Sequence, residues 1–415
     1  MSTSVTFQPS RTAPWLRTAS DRERAAERRV SLAWCMLLVN TFTFFPRTWS
    51  GAPLAFHIPS VIGKGITQGA LVIALALALS VNRRPVIRPN VFLCLLSLIA
   101  VDALITVGES PHLGTIYRTY RMIAFIATLW LLTPWWGRRD MLLVRAHLSA
   151  MLCVLGSVLL GLAIAPRTAM GDGRLGGALW PFPPTRVAEC AAITIGIVVV
   201  LWLGGEYSGR LTLVITLIAL FILLESHTRT ALVAMAGGLL VAGMSLFAIR
   251  ARVRKLFTAG SVVGSVGAIT LSGVLTTWLA RGENSQELSS LTGRTTVWSG
   301  LLSLPRDTFQ VIFGSGLSNQ AYNGLPIDSN WLAGYNDEGL LGVAIGAAVI
   351  LFLIISAFFQ PRGVQRALAL FLATYCLAAS FTEVGFNEVS TYMLYVTLAA
   401  SLLVGSRETA SQTDS

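Results

Sequence analysis

Charge is scarce in this sequence. Of 415 residues only 12% are Asp, Glu, Lys or Arg and 54% belong to the hydrophobic set, about half the charged fraction of an ordinary soluble domain. A soluble chain of this length would cover its cores with charge, whereas here long apolar runs recur and the charges fall in the gaps between them. Water-soluble classes are thereby excluded. Lysine is nearly missing: Lys64 and Lys255 are the only two, so 29 of the 31 basic residues are Arg. These collect in particular short loops, a pattern that reports membrane topology and gives no basis for a nucleic-acid partner. The five cysteines, Cys35, Cys94, Cys153, Cys190 and Cys376, all lie inside apolar runs. None stands with a second Cys or a His at metal-ligand spacing, so they read as small core residues and no metal or cofactor is expected.

What the chain does have is apolar length. About 20 apolar residues cross a hydrocarbon core, and twelve spans are expected, at 31–46, 61–81, 91–107, 121–136, 148–165, 187–204, 211–226, 231–249, 257–279, 339–359, 367–382 and 388–405. The fold class is therefore all-α and polytopic, with one transmembrane domain over 31–405. A basic N-terminal tail (1–30) precedes it and a polar tail (406–415) follows. The tail carries Arg11, Arg17, Arg22, Arg24, Arg28 and Arg29 ahead of the first run. That run begins too late for a cleavable signal peptide, so the first helix is expected to be retained.

Loop charges test the count independently, because Lys and Arg crowd every second loop on the cytoplasmic side. Arg83, Arg84 and Arg88 follow the second span, and Arg138, Arg139 and Arg145 the fourth. Arg250, Arg252, Arg254 and Lys255 follow the eighth, and Arg362 and Arg366 the tenth. The sixth is followed by Arg210 alone, the weakest of the series. Both termini are then cytoplasmic, and 166–186 and the long loop 281–338, between spans 9 and 10, lie outside. The outer side nevertheless carries Arg118, Arg121, Arg167, Arg174, Arg186, Arg229, Arg281, Arg294 and Arg306. Each alone fits an ion pair or a snorkelling side chain; as a set they suggest an anion-binding surface.

Several outer segments carry chemistry. Lys64, in Ile62-Gly63-Lys64-Gly65-Ile66, sits near the end of the second span and either snorkels or contacts a phosphate. Gly171-Asp172-Gly173-Arg174-Leu175-Gly176-Gly177, followed by Trp180-Pro181-Phe182-Pro183-Pro184-Thr185-Arg186, joins glycines to two guanidinium forks suited to phosphate oxygens. Thr228-Arg229-Thr230-Ala231 stands where two spans turn. The long loop holds Leu291-Thr292-Gly293-Arg294-Thr295-Thr296-Val297-Trp298, in which Thr292 or Gly293 would cap a helix that turns Trp298, Leu301 and Leu302 to membrane or core. Phe313-Gly314-Ser315-Gly316, Ile327-Asp328-Ser329-Asn330-Trp331-Leu332 and Asn336-Asp337-Glu338-Gly339 follow.

By these motifs the sequence resembles the O-antigen ligase and O-antigen polymerase superfamily of bacterial envelope glycosyltransferases. The resemblance rests on Thr292-Gly293-Arg294-Thr295 with Trp298, the Phe313 to Gly316 turn, the Leu332 to Gly342 stretch, Thr228 to Ala231, and Arg174 to Gly177 with Pro184. It covers 160–360 by motif and the whole chain by topology. It implies about a dozen spans in a membrane-embedded, GT-C-like glycosyltransferase fold within the bacterial cytoplasmic membrane. It also implies transfer of a glycan from a polyprenyl diphosphate to a glycan or glycolipid acceptor outside the cytoplasm. External arginines hold the diphosphate in such enzymes, a role that falls here on Arg174, Arg229 and Arg294, with Lys64 and Arg186 as further candidates. The family's ligases carry His-Asn where this chain has Asp328-Ser329. That departure tilts the expectation towards a polymerase and leaves Asp328 to accept or orient the proton of the incoming hydroxyl.

Guanidinium groups at the bridging oxygen would stabilise the charge that grows there as the anomeric bond breaks, with no metal required. A polyprenyl-phosphate mannosyltransferase is disfavoured because Pro46 to His57, in the first external loop, contains no Asp or Glu. The alternative that stays open is a transporter or flippase for a lipid-linked sugar or another anionic solute.

Overall fold

Apolar runs in this chain become helices, and the computed structural model describes them over residues 14–109, 111–138, 140–256, 294–318 and 320–404. The ninth expected span (257–279), Arg281, Arg139, Thr292 and Gly293 lie outside the described residues. Helices α1 (Pro14–Thr41), α2 (Ser60–Val81), α3 (Val91–Glu109), α4 (Leu113–Leu132), α5 (Leu142–Ile164), the single turn α6 (Pro166–Ala169), α7 (Pro184–Gly204), α8 (Gly209–Glu225) and α9 (Arg229–Phe247) precede the gap. After it come α10 (Arg294–Leu302), α11 (Thr308–Phe313), α12 (Asn330–Phe359), α13 (Val364–Ala379) and α14 (Thr391–Leu402). Strands β1 (Ala321–Tyr322) and β2 (Leu325–Pro326) form a two-residue hairpin ahead of α12.

Six of these helices, α2, α3, α5, α7, α9 and α12, are long and apolar enough to cross a membrane. Their outer faces are apolar too: Val61, Val72 and Ile73 on α2, Leu98 and Leu104 on α3, Leu351 and Phe358 on α12 are all exposed. Exposed apolar side chains on helix after helix are what a membrane-embedded helical protein presents to lipid.

Several boundaries differ from the hydropathy reading for identifiable reasons. Helix α1 begins well inside the basic tail, because 21–29, Asp-Arg-Glu-Arg-Ala-Ala-Glu-Arg-Arg, is made almost entirely of strong helix formers. Helix α4 starts eight residues before its expected limit, at Leu113 rather than 121. It takes Arg118 and Arg121 into the helix, where Arg121 is satisfied by the side chain and carbonyl of Asn40. Helix α14 has 12 residues, every one of them buried. At about 1.5 Å per residue it is too short to span on its own, and it serves as a core element. Helix α7 is the other central piece, 89% buried along its apolar window.

Close approach at the centre depends on Gly196 of α7, whose missing side chain receives the ring of Phe371 from α13. Around this core α9 packs on α13, α1 on α2 and α5, α8 on α7, and α3 on α4 and α12. Alternate connections gather at opposite ends of the bundle. At one end Arg138 pairs with Glu23, Glu27 and Asp140, Gln365 donates to the Arg138 carbonyl and Gln360 to that of Leu403. The other end holds the connections described next.

Candidate functional site

The scaffold of the site is a broken helix. Asn330–Phe359 is interrupted at Gly339, with φ 64° and ψ −159°, a conformation accessible in practice to glycine alone. Breaking the helix strands the last carbonyls of its first segment. The Phe313-Gly314-Ser315-Gly316 turn satisfies them: Ser315 N–H donates to the Asn336 carbonyl and Gly316 N–H to that of Asp337, each at 2.9 Å. Asp337 in return accepts from the Ser318 amide (3.0 Å), the Ser318 hydroxyl (2.7 Å) and Asn336 Nδ2 (2.9 Å). Arg306 reaches the Tyr335 carbonyl (3.3 Å) and Asn336 Oδ1 (2.9 Å) and lies over the Tyr335 ring. The last nine residues of the expected loop, 330–338, are therefore a buried helical segment, with Asn330, Ala333, Gly334, Asp337 and Glu338 on one inward stripe.

Several of these elements meet the α13–α14 connection, Ser380 to Ser390. Asn330 Oδ1 accepts from the Gly385 (3.0 Å) and Phe386 (2.7 Å) amides, and the Asn330 amide donates to the Ser380 carbonyl at 2.9 Å. Asn387 Nδ2 donates to Glu338 and to the Gly342 carbonyl, and so ties the connection to both sides of the helix break. Thr382 exchanges a 2.7 Å hydrogen bond with Thr230, in the first turn of α9. At its far end Thr391 donates to Glu189 and receives Arg186, which itself pairs with Glu189 at 2.7 Å across one helical turn.

The expected arginines arrive by separate routes. Arg294 opens α10 and pairs through Nε with Asp328 Oδ2 at 3.2 Å. Trp298, one turn on, donates to the Ile327 carbonyl at 2.7 Å. Asp328 occupies the left-handed region, φ 46°, which a short polar side chain tolerates better than most. Arg229 is the first residue of α9, beside the Thr230 to Thr382 link. Arg174 donates to the Ser226 carbonyl (3.1 Å) and the Thr228 hydroxyl (3.3 Å), the turn that leads into Arg229, and lies 5.2 Å from the Trp49 ring centre. Arg186 is committed to Glu189 and Thr391. Lys64 stands apart: exposed on α2, it has no hydrogen bond or ion pair to another described side chain. Of the helix-facing residues expected after Arg294, Leu301 is buried but Leu302 is exposed.

Electrostatics single out Glu383, partly exposed in the α13–α14 connection. Burial and the neighbouring Asp328 and Glu189 carboxylates push its carboxyl up to about 7, against the pull of Arg294 and Arg186. Arg294, Asp328, Arg186 and Glu189 all act on this carboxyl. Glu388, five residues on, is also raised, by burial first and against the pull of Arg121; it lines a small cavity with Arg118, Arg121, Met122 and Leu317.

Hydropathy placed 383–387 as the ordinary gap between two spans, with Thr382 and Glu388 as the limiting residues of those spans, and missed Glu383, Asn387 and Glu388. A signal was present, since Glu383, Asn387 and Glu388 stand within six residues in a chain with so little charge. No protein-family model and no curated protein matches this chain.

Proposed function

We propose that this protein transfers a glycan from a polyprenyl diphosphate to an acceptor sugar outside the cytoplasm of a bacterium, in the assembly of a surface polysaccharide. One observation carries this: Arg174 holds the turn that leads into Arg229, the next residue, Thr230, is tied to Thr382 of the α13–α14 connection, and Arg294 acts on Glu383 of that same connection, at one end of an apolar helical bundle. Guanidinium groups suit a diphosphate because their planar forks match its oxygens. The apolar exterior suits a polyprenyl chain, and a twelve-span, GT-C-like bundle with this end outside suits the delivery of a lipid-linked donor.

In this reading Arg174, Arg229 and Arg294 hold the diphosphate. The acceptor hydroxyl oxygen forms the new bond to the anomeric carbon, the bond from that carbon to the diphosphate breaks, and the polyprenyl diphosphate leaves with both electrons. The hydroxyl proton passes to Glu383, a carboxyl that releases and takes protons near neutrality. Asp328 orients Arg294 instead of acting as the base. Arg186 holds Glu189 and the start of α14. Because charge develops on the bridging oxygen only as the bond breaks, fixed guanidinium groups favour the transition state over the bound donor.

The test is Arg294→Lys, which keeps the charge and loses the fork. The expected result is at least about a hundredfold less product from a lipid-linked donor, with a normal protein level in the membrane; unchanged product would remove Arg294 from the mechanism. Loss of the gene separates the two acceptors: single repeat units on the carrier identify a polymerase, and unattached polymer identifies a ligase. A second reading, transport of a lipid-linked or other anion, draws on the broken helix α12, a device that transporters use at substrate sites. Donor trapped inside the cell on loss of the gene would decide for it.

A further inference from the structure

At the end of the bundle opposite the candidate site, four arginines share one cavity. Arg22 and Arg29 of α1 and Arg83 and Arg84, just beyond α2, line a recess of about 680 Å³ together with Ala25, Ala26, Ser80, Val81 and Asn82. All four guanidinium side chains are exposed, and the lining contains no carboxylate. The reason lies in helical spacing. Arg22, Ala25, Ala26 and Arg29 recur at three- and four-residue steps and form one face of α1, whereas Glu23 and Glu27 turn away and are taken by Arg138. The opposite wall is fixed: Asn82 bonds the Val86 carbonyl and amide at 3.0 Å each and the Leu131 carbonyl at 3.1 Å, so the turn that carries Arg83 and Arg84 is held in place. Alanine and serine on the floor leave the volume open.

Four like charges around one recess repel one another and favour an anion between them. The position of the recess selects which anion. It lies where the apolar run of α2 ends at Val81, and residues within three positions of its lining expose apolar side chains: Leu32 is 47% exposed, Leu79 50%, Val86 57% and Ile87 52%. A free phosphate would use the guanidinium groups and ignore these side chains; a glycerophospholipid would use both, with its phosphate among the arginines and its acyl chains along Leu32 and Leu79. We propose that this recess is a binding site for the headgroup of an anionic phospholipid in the leaflet that borders this end of the protein. The site is independent of the glycosyl-transfer reading.

The full-length protein, purified in a neutral detergent, tests this by thermal unfolding and by native mass spectrometry with phosphatidylglycerol, phosphatidylcholine or inorganic phosphate added. Phosphatidylglycerol raises the melting temperature and is retained as a bound adduct, phosphatidylcholine does neither, and inorganic phosphate at the same concentration gives no comparable shift. The double variant Arg83→Gln/Arg84→Gln keeps the lipid-free melting temperature and loses most of the phosphatidylglycerol shift, with affinity weakened by roughly tenfold or more. If that variant is poorly folded, Arg22→Gln alone, on an exposed helix position, gives a smaller loss in the same direction. Equal shifts from both lipids, an undiminished shift in the variants, or a shift reproduced by inorganic phosphate would each overturn the assignment.

Discussion

At the residue scale the candidate chemistry turns on Glu383. Its carboxyl is raised to about 7 because it is withdrawn from water and faces Asp328 and Glu189. As a proton acceptor it works only when ionised, so transfer rates rise with pH through an acidic limb centred near 7. Glu383→Gln abolishes that limb and cuts turnover by roughly a hundredfold or more, with donor binding little changed; a pH–rate profile in proteoliposomes measures both. Arg294 pulls the Glu383 carboxyl down, so Arg294→Gln moves any residual limb to higher pH. Stability follows the opposite sign from that of an ordinary surface carboxylate. The folded state holds this proton more tightly than the unfolded chain does, so the contribution of Glu383 is most favourable below its unfolded value and is lost as pH rises towards 7. Replacement by Gln flattens that part of the dependence of melting temperature on pH.

At the element scale the controlling feature is the break in α12. Gly339 combines a backbone conformation closed to side chains with close approach of the α11 end; an added Cβ would stand 2.4 Å from the carbonyl carbon of Ile312. Gly339→Ala therefore costs about 1–3 kcal/mol for backbone strain alone, and the clash adds to it; thermal unfolding in detergent reads the loss. The same break explains why a loop motif and a helix motif belong together in the sequence. Ser315 and Gly316 supply the amide hydrogens that the interrupted helix lacks, so the turn and the break form one unit.

At the scale of the whole molecule the site is an assembly of connections that have no common stretch of sequence. Arg174 comes from the connection before α7, Arg229 from the start of α9, Arg294 from the start of α10 and Glu383 from between α13 and α14. Asn330 is the fastener, accepting from two amides of the α13–α14 connection. Asn330→Ala leaves both amides buried without their partner and costs about 2–4 kcal/mol, taking about 1–2 for each; a lowered melting temperature with reduced transfer is the expected pair of results. A segment spanning 281–338, produced alone, is expected to bind no diphosphate lipid in a vesicle-binding assay, because three of the four groups are elsewhere.

Membrane residence, helical class and the alternation of connections between two ends were legible in residue order, because the length of an apolar run and the position of arginine are local properties that bilayer physics reads directly. Arg174, Arg229, Arg294 and Asp328 could be picked out for the same reason, as charges in a chain that has few. What residue order left open was which of them meet. Lys64 has the chemistry of a phosphate ligand and stands apart, Asp328 has that of a base and is held by Arg294, and Glu383 looked like punctuation between two spans. Their roles depend on burial and on neighbours up to some two hundred residues distant, such as Glu189 beside Thr391. Those quantities exist only once α7, α9, α12, α13 and α14 have packed, so the tertiary structure decided them.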